Sequence, residues 1–183
     1  MDRVFVGISR KNQTGENERR MEPNIFDWIY DLPISVIIAE GTWQFPLLEV
    51  IHIYSMIFLI TAVALFDLSF MGFPVGVETI SRMARMALRW TWVCFGINAV
   101  SGTLLFMSRA PEYAGNWAFQ LKLALVFVGM IAHTIILRKA ARWETVPAMA
   151  SGVKFLMAGV SLLIWTGVIV ASRWIAYAIP EFL

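Results

Sequence analysis

Apolar residues run along this chain in long unbroken stretches, without the alternation of a strand or the stripe of a half-buried helix. Crossing the hydrocarbon core takes roughly 20 mostly apolar residues. Four stretches qualify: about Pro46 to Phe66, stopping at Asp67, about Met86 to Met107, about Trp117 to Leu137, and about Phe155 to Tyr177. The links are short and carry breakers: Gly72, Pro74 and Gly76 in FDLSFMGFPVGVE, Pro111 and Gly115 in SRAPEYAGN, Pro147 in RKAARWETVP. Short links make successive helices antiparallel neighbours. The pattern therefore predicts an all-α fold, an integral membrane up-down bundle of four transmembrane helices. Small residues inside the spans (Gly96, Ser101, Gly102, Gly129, Gly159, Gly167) suit close helix packing in lipid.

Residues 1–45 differ in character and form a polar tail and amphipathic segment ahead of the bundle, which occupies 46–183. They hold five basic against seven acidic residues, whereas the remainder holds ten against six. Ser9 to Glu22 is polar enough to be flexible, and no apolar run follows the early charges, which excludes a cleavable signal peptide. Asn24 is placed to cap a short helix carrying Ile25, Trp28 and Ile29. LPISVIIAEGTWQFP is too short to span and reads as an interfacial segment lying on the membrane surface.

Composition narrows the class. With 58% hydrophobic and 15% charged residues and a mean hydropathy of +0.67, the chain is neither a soluble domain nor disordered. A net charge of +2 is too small and scattered for a nucleic-acid footprint. Cys94, the only cysteine, excludes a disulfide and a Cys-based zinc site. Arg82, Arg85 and Arg89 flank one link, and Arg138, Lys139, Arg142 and Lys154 flank another on the same face. The opposite face offers only Arg109 and Arg173. The basic face is therefore expected in the cytoplasm, with both termini outside. Asp67 reads as a helix stop neutralised by Arg82 or Arg85, and the three arginines from Arg82 to Arg89 share a face suited to anionic headgroups.

Ionisable side chains inside a span are costly and mark function by default. Here they are Glu49, His52, Lys122, His133 and Arg173. At about 1.5 Å of rise per residue, His52 lies roughly 9 Å below the outer end of the first span. Lys122, Arg173 and Gly102, on the other three spans, fall at a similar level. One imidazole, two cations and a glycine in an apolar layer suit a haem: His52 as axial ligand to iron, Gly102 facing the macrocycle, and Lys122 and Arg173 at the propionates. Glu49, one turn outward from His52, can pair with Arg173 or receive the imidazole's other N–H. A competing reading has Lys122 and Arg173 snorkelling to the surface without a ligand and His52 as a hydrogen-bonded structural residue. His133 lies roughly 16 Å deeper than Lys122 on the same face. It can hold a second cofactor, carry protons or be a hydrogen-bonded core residue.

The text WQFPLLEVIHIYSMIFLITAVALFDLSFMG resembles an uncharacterised bacterial four-helix membrane family with a W-x-F-P-x-x-E-x-x-H opening and a D-L-R-L-x-G close. SGTLLF, PEYAGNWAFQLKL and ASRWIAYA look like that family's other marks, so the resemblance covers about Trp43 to Tyr177. Ser69 stands where the family has a basic residue, so no role tied to that residue carries over. More distantly, the layout is similar to HemJ-type protoporphyrinogen oxidases and CopD-type copper-resistance membrane domains. The HemJ-type helix-three K…H pair is matched by Lys122 and His133 in KLALVFVGMIAH, and the helix-one His by His52. These resemblances imply a bacterial inner-membrane location and functional roles for His52 and Lys122. Together, residues and resemblance point to a membrane haem b protein in electron transfer with a quinol or a partner oxidoreductase. The alternatives are a HemJ-like porphyrinogen oxidase and a non-redox accessory subunit of a larger membrane complex.

Overall fold

The computed structural model describes residues 24–73, 79–142 and 150–177. The expectations for Ser9 to Glu22 and for the breakers Pro74, Gly76 and Pro147 lie outside the described residues. In order along the chain come α1 (Ile25–Tyr30), α2 (Pro33–Glu40), α3 (Gln44–Met71), α4 (Ile80–Met107), α5 (Ala110–Ala114), α6 (Trp117–Ala140), α7 (Ser151–Trp174) and a 3₁₀ turn (Ile175–Tyr177). The four long helices are the predicted spans, and no strand occurs among the described residues.

Each span is bounded by local chemistry. α3 runs five residues beyond the predicted end and stops at Gly72, whose φ of +97° is the left-handed conformation glycine adopts without strain. The Gly72 and Phe73 N–H groups donate to the carbonyls of Ser69 and Leu68. Asp67 is therefore not the helix stop: it sits inside the last turns of α3 at 2% exposure. Arg85 does not neutralise it, because its guanidinium donates to the Ala141 carbonyl at the end of α6 (3.0 Å). In lipid the backbone must stay hydrogen-bonded, so one carboxyl does not break a helix, whereas a glycine cap can end it. α6 starts at Asn116, whose Oδ1 accepts from the Ala118 and Phe119 N–H groups (2.9 and 3.3 Å). The Asn116 amide also donates to the Ile175 carbonyl (3.2 Å), fixing the end of α7 against the start of α6.

The spans form a ring in which α4 packs on α3 and α6, and α7 packs on α6 and α3. The inside divides into layers. Nearest the arginine-rich end, Phe66, Phe70, Ala84, Ala87, Leu137, Ala140 and Ala158 form one apolar cluster. At mid-height Leu59, Val63, Cys94, Met130, Trp165 and Val168 form a second. Gly129 lets α7 approach at Ile164, since a Cβ there would stand 3.2 Å from the Ile164 side chain. Gly167 likewise meets Leu125, but Gly96 and Gly159 face open space and do not serve packing.

Only 17–28% of each span's most apolar window is buried inside the bundle. The outward faces carry Phe58, Val100, Phe127 and Leu163 at 60–71% exposure. Apolar surface on this scale requires lipid around it. The chain is a multi-pass membrane protein.

At the α5 end the two short helices fold back onto the bundle. The Asp27 carboxylate accepts from the Asn24 N–H (2.9 Å), closing the start of α1. Ser35 of α2 is fully buried and donates to the Ile29 carbonyl (2.7 Å). α1 packs on α5 and α2 on α3 and α4, leaving Trp28 and Trp43 exposed at the rim, as amphipathic rings at an interface are.

Candidate functional site

The polar layer sits in the half of the bundle nearest α5. His52 of α3 turns into the bundle and lies against α4. Its Nδ1 is 3.1 Å from the Asn98 carbonyl and 3.1 Å from Ser101 Oγ. A carbonyl only accepts, and the Ser101 hydroxyl already donates to the Ile97 carbonyl (2.8 Å). The proton of a neutral His52 therefore rests on Nδ1, which donates to Asn98, and Nε2 keeps its lone pair. Nε2 faces Lys122 of α6, whose ammonium donates to it at 3.5 Å.

Asn98 is the hub. Its side-chain amide donates to the His52 carbonyl (3.0 Å) and to Ser55 Oγ (3.1 Å), while its own carbonyl holds the imidazole. Ser55 in turn donates to the His52 carbonyl (2.8 Å). A buried asparagine with these partners locks the rotation of α3 against α4, since slipping either helix would leave amide groups unpaired where no water replaces them. Sequence reasoning missed Asn98 and Ser55 because it built the site from ionisable residues and one glycine. The available signal was spacing: Asn98 lies one turn before Gly102, and Ser55 one turn after His52.

Gly102 belongs to the site in a different way from the one expected. A Cβ on it would stand 2.9 Å from His52 Cε1 and 3.3 Å from Nδ1. The space that the missing side chain opens is filled by the imidazole itself, not by a slot facing a macrocycle. Lys122 points inward to His52, which replaces the snorkelling reading for that residue.

The other candidates lie elsewhere. Glu49 is exposed and makes no hydrogen bond or ion pair among the described residues. The imidazole N–H it was expected to receive goes to Asn98. Burial pushes up the pKa of the Tyr113 phenol on α5 against the pull of Arg109, and the Glu112 and Glu49 charges add to the rise. Arg173 is exposed, with its guanidinium 5.6 Å from the Tyr177 ring centre. His133 stands in a separate chamber near the arginine-rich end, edge-on to Phe66 with ring centres 5.9 Å apart. The structure thus brings His52, Lys122 and Gly102 together and leaves Glu49, Arg173 and His133 outside that cluster.

One turn outward from the layer, aromatic rings join four elements. Tyr113 stacks on Phe119 (5.8 Å), Phe119 on Phe106 (5.2 Å), and Phe26 meets Phe106 edge-on (6.4 Å). Beyond them a recess of about 850 Å³ opens between α1, α2, α3 and α5, lined by Asp27, Tyr30, Thr42, Arg109 and Glu112 among others. Arg109 lies 3.6 Å from the Glu112 carboxylate and over the Phe45 ring.

No family model, curated protein or solved structure matches the chain.

Proposed function

We propose that the chain is a haem b protein of the bacterial inner membrane, working in electron transfer with a quinol or a partner oxidoreductase. The observation that supports this reading is the posture of His52. Its Nδ1–H is fixed by a backbone carbonyl, so Nε2 is presented as an unprotonated donor, the state an axial imidazole adopts. His52 would be the one residue of this cluster to hold the iron. The described residues hold no group of three His, Cys, Asp or Glu arranged for a bare metal ion, which an iron carried in its own macrocycle does not need.

When bound, haem supplies reversible one-electron exchange. His52 would hold its iron through Nε2, and Lys122, already beside Nε2, would turn to a propionate. Arg173, on the exposed outer turn of α7, would meet the other. Asn98 and Ser101 keep the imidazole oriented by accepting at Nδ1, and Gly102 gives the ring its room. The aromatic row from Phe26 to Tyr113 excludes water from this layer. Protein purified after expression with ample haem is expected to be red with a Soret band. Colourless protein under those conditions overturns the reading and leaves the accessory-subunit one.

Lys122 offers a separate measurement. Lys122→Met removes the cation and is expected to lower the haem-to-protein ratio several-fold, while Lys122→Arg keeps the charge and largely retains haem. A Met variant with unchanged haem content would take Lys122 out of the cofactor site.

The arginine-rich end is assigned to the cytoplasm on the positive-inside rule. A reporter active only in the periplasm is expected to give signal when fused at Leu183 and none when inserted between Arg138 and Arg142. The reverse pattern would move the His52 layer to the cytoplasmic leaflet.

A further inference from the structure

The arginine-rich half of the bundle holds polar atoms that neither the fold nor the His52 layer uses. Asp67 Oδ2 on α3, both nitrogens of His133 on α6, and Ser161 Oγ and Trp165 Nε1 on α7 are buried without a hydrogen-bond partner. His133 and Trp165 are each 1% exposed, and Asp67 is 2% exposed. Buried polar groups are almost always paired, so five such atoms on three helices call for partners.

The space for one is present. A cavity of about 70 Å³ is lined by His133, Ser161, Trp165 and Gly129 with Ile164 and Met157. A space of that size admits water, and His133, Ser161 and Trp165 are the residues of its lining that carry polar side-chain groups. The indole N–H only donates, the Ser161 hydroxyl donates and accepts, and a neutral imidazole does one of each at its two nitrogens. Ser161 also faces the Asp67 carboxyl without closing a bond to its free oxygen. Ser161 therefore stands between the cavity, which it lines, and the Asp67 carboxyl, which does not line it.

We propose that this chamber is a proton-binding site, in which water held by His133, Ser161 and Trp165 links the imidazole to the Asp67 carboxyl and the two share a proton. The reasoning is independent of the haem reading. An ionised carboxylate or imidazolium alone in the membrane interior is costly, and a proton passed between the two along water meets that cost at either end. A bare cation is disfavoured because no third carboxylate, thiolate or imidazole joins them among the described residues. Cys94 of α4 lies in the mid-height apolar cluster, Arg82, Arg85 and Arg89 of α4 and Arg138 and Lys139 of α6 are exposed, and Lys154 of α7 is half-buried toward the helix start.

The test is infrared difference spectroscopy on the full chain in lipid, titrated with pH and repeated in D₂O. Wild type minus Asp67→Asn is expected to show one carbonyl-stretch band of a protonated carboxylic acid that titrates with pH and moves in D₂O. Asp67→Asn keeps the shape of the side chain, and the wild-type titration needs no variant at all. His133→Phe keeps a ring on Phe66 and removes both nitrogens, and Ser161→Ala is a milder change. Either is expected to shift the band's frequency and its midpoint. Absence of the band from wild type over the pH range in which the protein stays folded overturns the proposal. So does a band that neither His133→Phe nor Ser161→Ala moves. Haem content plays no part in the readout, so failure here and failure of the haem reading are separately visible.

Discussion

His52→Ala is expected to abolish the Soret absorbance completely while the protein still inserts and purifies. Nε2 of His52 is the unprotonated ring nitrogen of the outer polar layer, and the Lys122 side-chain nitrogen stands 3.5 Å from it. Alanine removes the ligand and the bonds from Nδ1 to Asn98 and Ser101, but the His52 backbone carbonyl remains. The amide of Asn98 and the hydroxyl of Ser55 keep that acceptor, so α3 and α4 stay in register. Imidazole added in solution is expected to restore part of the absorbance, since it replaces the ligand without the helix. His133→Ala is expected to leave the absorbance in place, because its chamber lies among Phe66, Ser161 and Trp165 at the other end of the bundle. The measurement is the Soret-to-protein absorbance ratio of purified variants. Full absorbance in His52→Ala would remove His52 as the ligand.

Gly102→Val is expected to be the most damaging single substitution in the α3–α4 interface. Its Cβ alone would stand 2.9 Å from His52 Cε1, so the ring must leave a position set by the Asn98 carbonyl and Ser101. Overpacking of this kind costs about 1–3 kcal/mol. The displaced Nδ1–H then adds a lost hydrogen bond of about 1 kcal/mol. Gly102→Ala is expected to do less than Val, since a lone methyl asks the ring to shift by less. Both effects are read as a lower unfolding midpoint in detergent, with haem retention falling in the same order. A Val variant as stable as wild type, with its haem intact, would show that the imidazole has another rotamer open to it and that Gly102 does not set its place.

The layer of the site was legible in the sequence, but its wiring was not. Counting residues from the span ends placed His52, Gly102 and Lys122 at one level, and the structure brings those three together. The same counting also placed Arg173 in the layer and Glu49 one turn outward from His52, yet both are exposed and neither joins the cluster. Depth follows from the 1.5 Å rise alone, while contact also needs the angle around each helix axis. Asp67 shows the complementary limit. Next to a link rich in arginines it looked like a terminus, and the structure carries the helix on to Gly72 and buries the carboxyl.

The sequence by itself determines four spans, their order, a short helix after Asn24 ahead of them and the common level of His52, Gly102 and Lys122. The reason is that lipid offers the backbone no partner, so a long apolar run must become a helix whatever surrounds it. The rotation of each span was decided only by tertiary packing. Helices apolar on every side carry no stripe to say which face turns inward, since lipid and core are alike to a leucine. A few polar contacts and one missing side chain decide it here: Asn98 on the His52 carbonyl, Gly102 under the imidazole, Lys122 at Nε2. Hydrogen bonds and close approach distinguish directions around a helix that hydropathy treats as equal.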